Sequence, residues 1–324
     1  FCSNVKVTNF YLRGQDDGIG FTHDPASWGN MLPKRNPISQ NIIVQGGFIE
    51  SKIAHGVRFG GEQLTIGDTT YLIDPDVAYK NVLVDDIVIY GVPDVDGTPR
   101  EGAAITLNDT RDNATVQNDN ITISNIRGRN TTTLGGPEVV SIIGYAEDTS
   151  KRNWKNVKLH NVNVEADENG AGPKAFISGV EDLEISDCKF GGQRISTARA
   201  YSGVQIAHSD RITFRDTTIY HRGSGLYPVS IVNFNEVTFI DTIVAGGDAS
   251  DAGGTNEAAC IYLGPNGGGA GRLTIDGLTL KDAVLPIEFS ATAFATDGIK
   301  ARNITLRGIT TPTFPVALMN AIIR

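Results

Sequence analysis

One short phrase recurs from end to end of this chain, and it limits the fold more than any other feature. A strand of alternating character opens on Asn, Asp, Arg or Glu. It appears as Asn4-Val5-Lys6-Val7, Asn41-Ile42-Ile43-Val44, Asn81-Val82-Leu83-Val84, Asn120-Ile121-Thr122-Ile123 and Asn156-Val157-Lys158-Leu159. It continues as Asp182-Leu183-Glu184-Ile185, Arg211-Ile212-Thr213-Phe214, Glu236-Val237-Thr238-Phe239, Arg272-Leu273-Thr274-Ile275 and Asn303-Ile304-Thr305-Leu306. A second short strand follows most of these, as in Val162-Asn163-Val164 and Thr217-Thr218-Ile219. A third accompanies each, from Gly18-Ile19-Gly20-Phe21 and Gly56-Val57-Arg58-Phe59 through Ile261-Tyr262-Leu263 and Ile287-Glu288-Phe289 to Val316-Ala317-Leu318. Alternation with a period of two sends one side chain inward and the next outward. Short strands joined by Gly, Asn and Asp turns fit a coil that stacks on itself. The pattern predicts an all-β, right-handed parallel β-helix of about ten rungs with three short strands each. An antiparallel sandwich would not repeat one three-strand phrase so often.

A solenoid grows by adding rungs, so 324 residues suit a single β-helix domain over 1-324. Phe1 stands almost at the first strand and Ile322-Ile323-Arg324 looks bare, so the reading expects a missing N-terminal cap or upstream region, or ends covered in an oligomer. No signal segment and no membrane-length apolar run is visible. The formal net charge of -9 argues against a nucleic-acid partner, which needs a basic stripe. Cys2, Cys188 and Cys260 are odd in number and far apart, which argues against a disulfide framework or zinc. The latter two read as small core residues.

Function in such a fold must come from outward side chains and loops. Aligning inward residues sets Ile19 and Phe21 against Val57 and Phe59. Asp17 then stacks on His55, one rung of about 4.8 Å away, with Glu101 near the same column. Crowded carboxylates push each other's pKa values apart, leaving one as acid and one as base. Glycosidic hydrolysis needs that pair of roles. The same doublet also fits a tight turn, or substrate binding without cleavage. Asp85-Asp86 is taken as a turn, and Asp94-Val95-Asp96-Gly97 and Asp248 to Asp251 fit no calcium-ligand spacing. No metal or other cofactor is expected. Trp28, Tyr71, Tyr79, Tyr145 and Trp154 fall in or near the long loops, where aromatic rings stack on sugars.

The Asp16-Asp17 doublet before one strand, with His55-Gly56 at the same place in the next rung, resembles the polygalacturonases of glycoside hydrolase family 28. Asn41-Ile42-Ile43-Val44-Gln45-Gly46-Gly47-Phe48-Ile49 and Tyr79-Lys80-Asn81-Val82-Leu83-Val84 stand where that family has connecting strands. The resemblance implies Asp16 as general acid, Asp17 in the water-activating pair and His55 in a supporting or substrate-contacting role. Gln15, Arg58, Glu101, Trp28 and Tyr71, on or beside the same strands and long loops, are read as substrate-binding candidates. Ala103-Ala104-Ile105 stands where the family carries Arg-Ile-Lys, so Arg58 is the candidate to grip an anionic sugar. The chain also resembles phage tailspike depolymerases. The expectation is a polysaccharide-cleaving glycoside hydrolase, secreted or on a phage virion, as a possible homotrimer without a membrane span. Two alternatives stay open: a polysaccharide lyase or epimerase, and a non-catalytic glycan-binding spike.

Overall fold

The computed structural model describes residues 2–14, 18–23, 38–51, 56–61, 64–66, 69–71, 76–91, 105–111, 114–130, 140–144, 152–166, 175–193, 203–222, 227–246, 259–264, 271–290, 294, 298–316 and 318–319. Nearly all of its strands join one sheet in which every pairing is parallel. Among the described residues one pairing is antiparallel, a small hairpin of Leu64–Ile66 with Thr69–Tyr71. The parallel strands stack into a β-helix with two kinds of ladder.

Long strands form the first kind: Ser3–Gly14, Ile38–Ser51, Ala78–Gly91, Asn118–Asn130 and Trp154–Ala166 pair in succession. The stack continues to Val229–Gly246, Arg272–Ala283 and Ile299–Ile309. Two of the three sequence phrases therefore run together as one bent strand in most coils. The bend comes from a single residue in the left-handed region, which closes a corner without breaking the hydrogen-bond ladder. Asn4, Asn41, Asn81, Asn120, Asn156 and Asp182 hold positive φ at one corner, and Asn9, Gly46, Asp86, Asn125, Asn161 and Asp187 at the next. Asn reaches this region more readily than most residues because its short amide can bond locally. Asn41, Asn81 and Asn120 each donate from Nδ2 to Oδ1 of the Asn one coil back, at 3.0, 3.0 and 2.8 Å. Asp85-Asp86, expected as a turn between strands, lies inside Ala78–Gly91 with Asp86 at such a corner.

The short third phrase forms a front ladder. It runs through Ile19–His23, Val57–Gly61, Ile105–Asp109, Val140–Gly144 and Ala175–Ser178, then the first residues of Val204–Arg215 and Val229–Gly246, then Ala259–Gly264 and Leu285–Phe289. Of the expected final member, Val316-Ala317-Leu318, the described residues Val316 and Leu318 are not in a strand. Pro315 accepts from the amides of Leu318 and Met319 in a helical turn, and Leu318 is fully buried. Proline's fixed φ suits the start of such a turn. Phe314 packs against the core beside it, and Ile322-Ile323-Arg324 lie outside the described residues.

The interior is one continuous column of Val, Ile, Leu and Phe. Fully burying each such side chain contributes about 1.5–3 kcal/mol. Cys188 and Cys260 are buried free thiols as expected, and burial pushes both up to about 12. Two aromatics expected in sugar-binding loops are instead structural. Trp154 is completely buried and donates from Nε1 to the Ile143 carbonyl at 3.1 Å. Tyr79 is buried, and its hydroxyl donates to the carbonyls of Phe21 (2.5 Å) and Gly60 (2.9 Å). Trp154 opens its strand and Tyr79 stands second in its own, both at inward positions where the core takes the ring.

Candidate functional site

The front ladder is where the sequence places the chemistry, and its register follows the expectation: Ile19 pairs with Val57 and Phe21 with Phe59. The two phenylalanine rings stack at 4.8 Å. Gln15, Asp16, Asp17, Trp28, His55 and Glu101 lie outside the described residues. Tyr71 ends the second strand of the small hairpin, opposite Leu64. Arg58 lies between two inward residues, so it occupies an outward position, and it is half-buried. The expected assembly of a carboxylate pair with His55 thus rests on the register of the strands that follow those residues.

Arg58 belongs to a file of outward residues, one from each coil. Gly20, Arg58 and Thr106 are in register, followed by Ser141, Phe176, Gln205, Ser230, Tyr262 and Glu288. An outward position on a sheet usually meets water, yet Thr106 is 2% and Ser141 4% exposed. The face beyond Arg58 is therefore covered over these two coils. Further along it opens again at Gln205, Ser230 and Tyr262, all half-buried.

At the far end three side chains converge. Tyr227 leads into its strand and stacks on Tyr262, with centroids 4.9 Å apart and planes 27° apart. Its hydroxyl donates to Glu288 Oε2 at 2.6 Å, reaching across the coil that carries Tyr262. Burial first, and this bond second, push the Tyr227 phenol well above its ordinary value. The sequence signal for this cluster is the middle residue of the repeated third phrase, Tyr262 in Ile261-Tyr262-Leu263 and Glu288 in Ile287-Glu288-Phe289. It passes unnoticed while the phrase is read only for its inward residues.

A groove of about 480 Å³ lies on the adjoining ladder, lined by Lys158, Glu184, Arg211, Thr213, Arg215 and Thr238 among others. Several of its charges are paired. Arg211 grips Asp182 through Nε and Nη2 at 2.5 and 2.8 Å and Glu181 at 2.8 Å. Lys158 faces Glu184 at 3.6 Å. The Arg211 hydrogen bonds hold both Glu181 and Asp182 below the usual carboxylate range. Those two carboxylates are ionised at neutral pH and offer no proton to a leaving group.

His160 also has suggestive neighbours, Ser186 Oγ at 3.2 Å and Asp187 Oδ2 at 3.3 Å. Both approach Nδ1. A nucleophilic triad needs the hydroxyl on one ring nitrogen and the carboxylate on the other, so this is a surface contact. Asp94-Val95-Asp96-Gly97 and Asp248 to Asp251 lie outside the described residues. Among the described residues no cluster of three or more His, Cys, Asp or Glu could hold a metal ion, and no helix is long and apolar enough to cross a membrane.

No family model and no curated protein matches this chain. Among solved structures it is similar to the A-module of the mannuronan C-5 epimerase AlgE4 of Azotobacter vinelandii, at 13% identity and a TM-score of 0.29. The match covers 85% of this chain and 88% of that one. The fold described above rests on the strand registers and not on this likeness.

Proposed function

We propose that the chain is an extracellular polysaccharide-cleaving enzyme, an inverting glycoside hydrolase on a right-handed β-helix of about ten coils. Right-handedness is the sense that crossovers between parallel strands take in about 98% of cases. One observation carries the reading: the register of Ile19 on Val57, with Arg58 outward beside it. It supports bringing the segment after Asp16-Asp17 and the segment after His55 to adjacent coils of one face. In this reading Asp16 protonates the glycosidic oxygen as the bond to the anomeric carbon breaks. Asp17 takes a proton from the water that attacks that carbon from the opposite side, and one new reducing end results per cut. Arg58 supplies the positive charge for an anionic sugar. Assembly as a trimeric tailspike on a virion is the natural setting for such a stack.

The test is incubation with pectic and bacterial capsular polysaccharides, reading reducing ends and ultraviolet absorbance together. Reducing ends without absorbance are expected from the wild type, with a loss of at least about a hundredfold in Asp16→Asn, the scale of a lost general acid. Absorbance from a new C=C bond would replace the hydrolase by a lyase. Undiminished activity in Asp16→Asn would overturn the site, and silence across the panel would leave a binding spike.

A further inference from the structure

We propose that Tyr262, Tyr227 and Glu288 form a second carbohydrate site, selective for an uncharged pyranose unit, on the same face as Arg58 but far from it. The proposal takes its ligand class from the glycan-acting reading above and does not depend on cleavage.

Position is the first argument. Tyr262 stands six coils from Arg58 in the same outward file, about 29 Å at a strand spacing of roughly 4.8 Å. Thr106 and Ser141, both almost wholly buried, mark a covered stretch between the two positions, so the face at Tyr262 is separate from the face at Arg58. Gln205 and Ser230 precede Tyr262 directly, so an amide and a hydroxyl flank the ring on one side and Glu288 on the other.

Preorganisation is the second. Tyr227 braces Tyr262 from one side and holds Glu288 through its hydroxyl, so ring and carboxylate are fixed relative to each other before a ligand arrives. Fixed groups lose less freedom on binding. Next to Tyr262 at the following outward position is Gly264, where a Cβ would sit 3.5 Å from Tyr262 Cε1. Gly264 is buried, and a methyl there would touch Val232, Tyr262 and Ser290 at ordinary contact distance, so the backbone packs against that edge of the ring and helps to fix it.

Charge decides the ligand. Glu288 bonds Tyr227 through Oε2, and among the described residues it has no cationic partner. Its other oxygen can accept from sugar hydroxyls, while its charge, with no cationic partner among the described residues, repels a uronate. Aromatic face, hydrogen-bonding flanks and an unpaired carboxylate together suit a neutral sugar ring. The polymer bound is then a heteropolysaccharide or neutral glycan rather than an unbroken polyuronate.

The experiment is affinity electrophoresis of the full chain in native gels containing galactomannan, xyloglucan, arabinogalactan, dextran or polygalacturonate. At least one neutral polymer should retard the wild type. That retardation should weaken at least about tenfold in Tyr262→Ala, about 1.4 kcal/mol, persist in Tyr262→Phe and fall in Glu288→Gln. Retardation is scored whether or not reducing ends are released, which separates this site from the cleavage reading. Retardation by polygalacturonate alone, by none of the polymers, or equally in wild type and Tyr262→Ala overturns the proposal. If far-UV circular dichroism shows that Tyr262→Ala is misfolded, Glu288→Gln decides, and retardation equal to wild type overturns it.

Discussion

A corner residue in the left-handed region costs an ordinary side chain roughly 1–2 kcal/mol, and the stack repeats that corner coil after coil. Asn81 sits at one with φ of 56°, donating to Asn41 and accepting from Asn120. Asn81→Ala keeps the Cβ penalty and loses both amide contacts, so it should destabilise by roughly 1–3 kcal/mol. Asn81→Gly loses the contacts but relieves the backbone and should cost less. Urea denaturation of the two variants checks the order, and an alanine variant as stable as the glycine one would refute it. The same physics explains what the sequence discloses at this scale. Asn at the head of most phrases is visible because only a few residues tolerate that corner. Tyr79 and Trp154 look like binding residues because they are large aromatics near long insertions, while their burial depends on inward positions at or next to a strand's start.

Between single residues and the whole stack, polar clusters tie adjacent coils. Beyond the front strand Ile105–Asp109, Asp109 meets Arg111 through Nε (2.7 Å) and Nη2 (2.6 Å), both side chains almost wholly buried. Asn118 donates to Asp109 Oδ2 at 2.6 Å, Asn153 donates to the Asp109 carbonyl at 2.8 Å, and Arg111 also reaches the Val77 carbonyl at 2.9 Å. Asp109→Ala strands a buried guanidinium, so it should cost roughly 3–5 kcal/mol, read from the shift in denaturant midpoint; a loss under about 1 kcal/mol would count against a buried pair. Acid acts on a related set of contacts. Burial raises the Asp85 pKa, but donors from Ser124, Asn125 and Gln45 outweigh it and hold the group below its ordinary value. Arg211 does the same for Glu181 and Asp182. A depressed carboxylate stabilises the fold above its unfolded pKa, and that stability is lost as pH falls through the folded value. His208 is also lowered, by burial and then by Arg152. Its unfolded form takes up a proton first, so stability begins to fall once pH drops below about 6.5. Thermal midpoints should therefore decline in two stages, one below about pH 6.5 and a steeper one below about pH 4. His208→Gln should abolish the upper stage; if that stage persists, His208 is not its source. None of these clusters is legible in the sequence, because Asp109, Asn118 and Asn153 meet only after the coils stack.

At the scale of the molecule each coil packs only on its neighbours, so stability is the sum of coil terms and interface terms. The repeated phrase is enough to infer this architecture, since the alternation that builds one coil also prepares the face for the next. The outward file escapes such a reading because burying the core imposes no pattern on it. Uneven protection along the stack follows from nearest-neighbour packing. Phe10, Leu12, Ile19 and Phe21 at one end and Ile304, Leu306 and Ile309 at the other are only partly buried. Ile121, Ile142, Leu159, Ile177, Ile206 and Phe239 between them are fully buried. Hydrogen exchange followed by mass spectrometry should find the slowest amides in the strands from Ile105 to Val244 and faster exchange toward both ends. Leu159→Ala removes a central contact worth roughly 2–5 kcal/mol. It should speed exchange most in its own coil and in the paired strands Asn118–Asn130 and Val180–Ser186. Acceleration confined to the adjacent coils is the signature of a one-dimensional stack, whereas equal acceleration in every coil would mean that the whole chain opens as one cooperative unit.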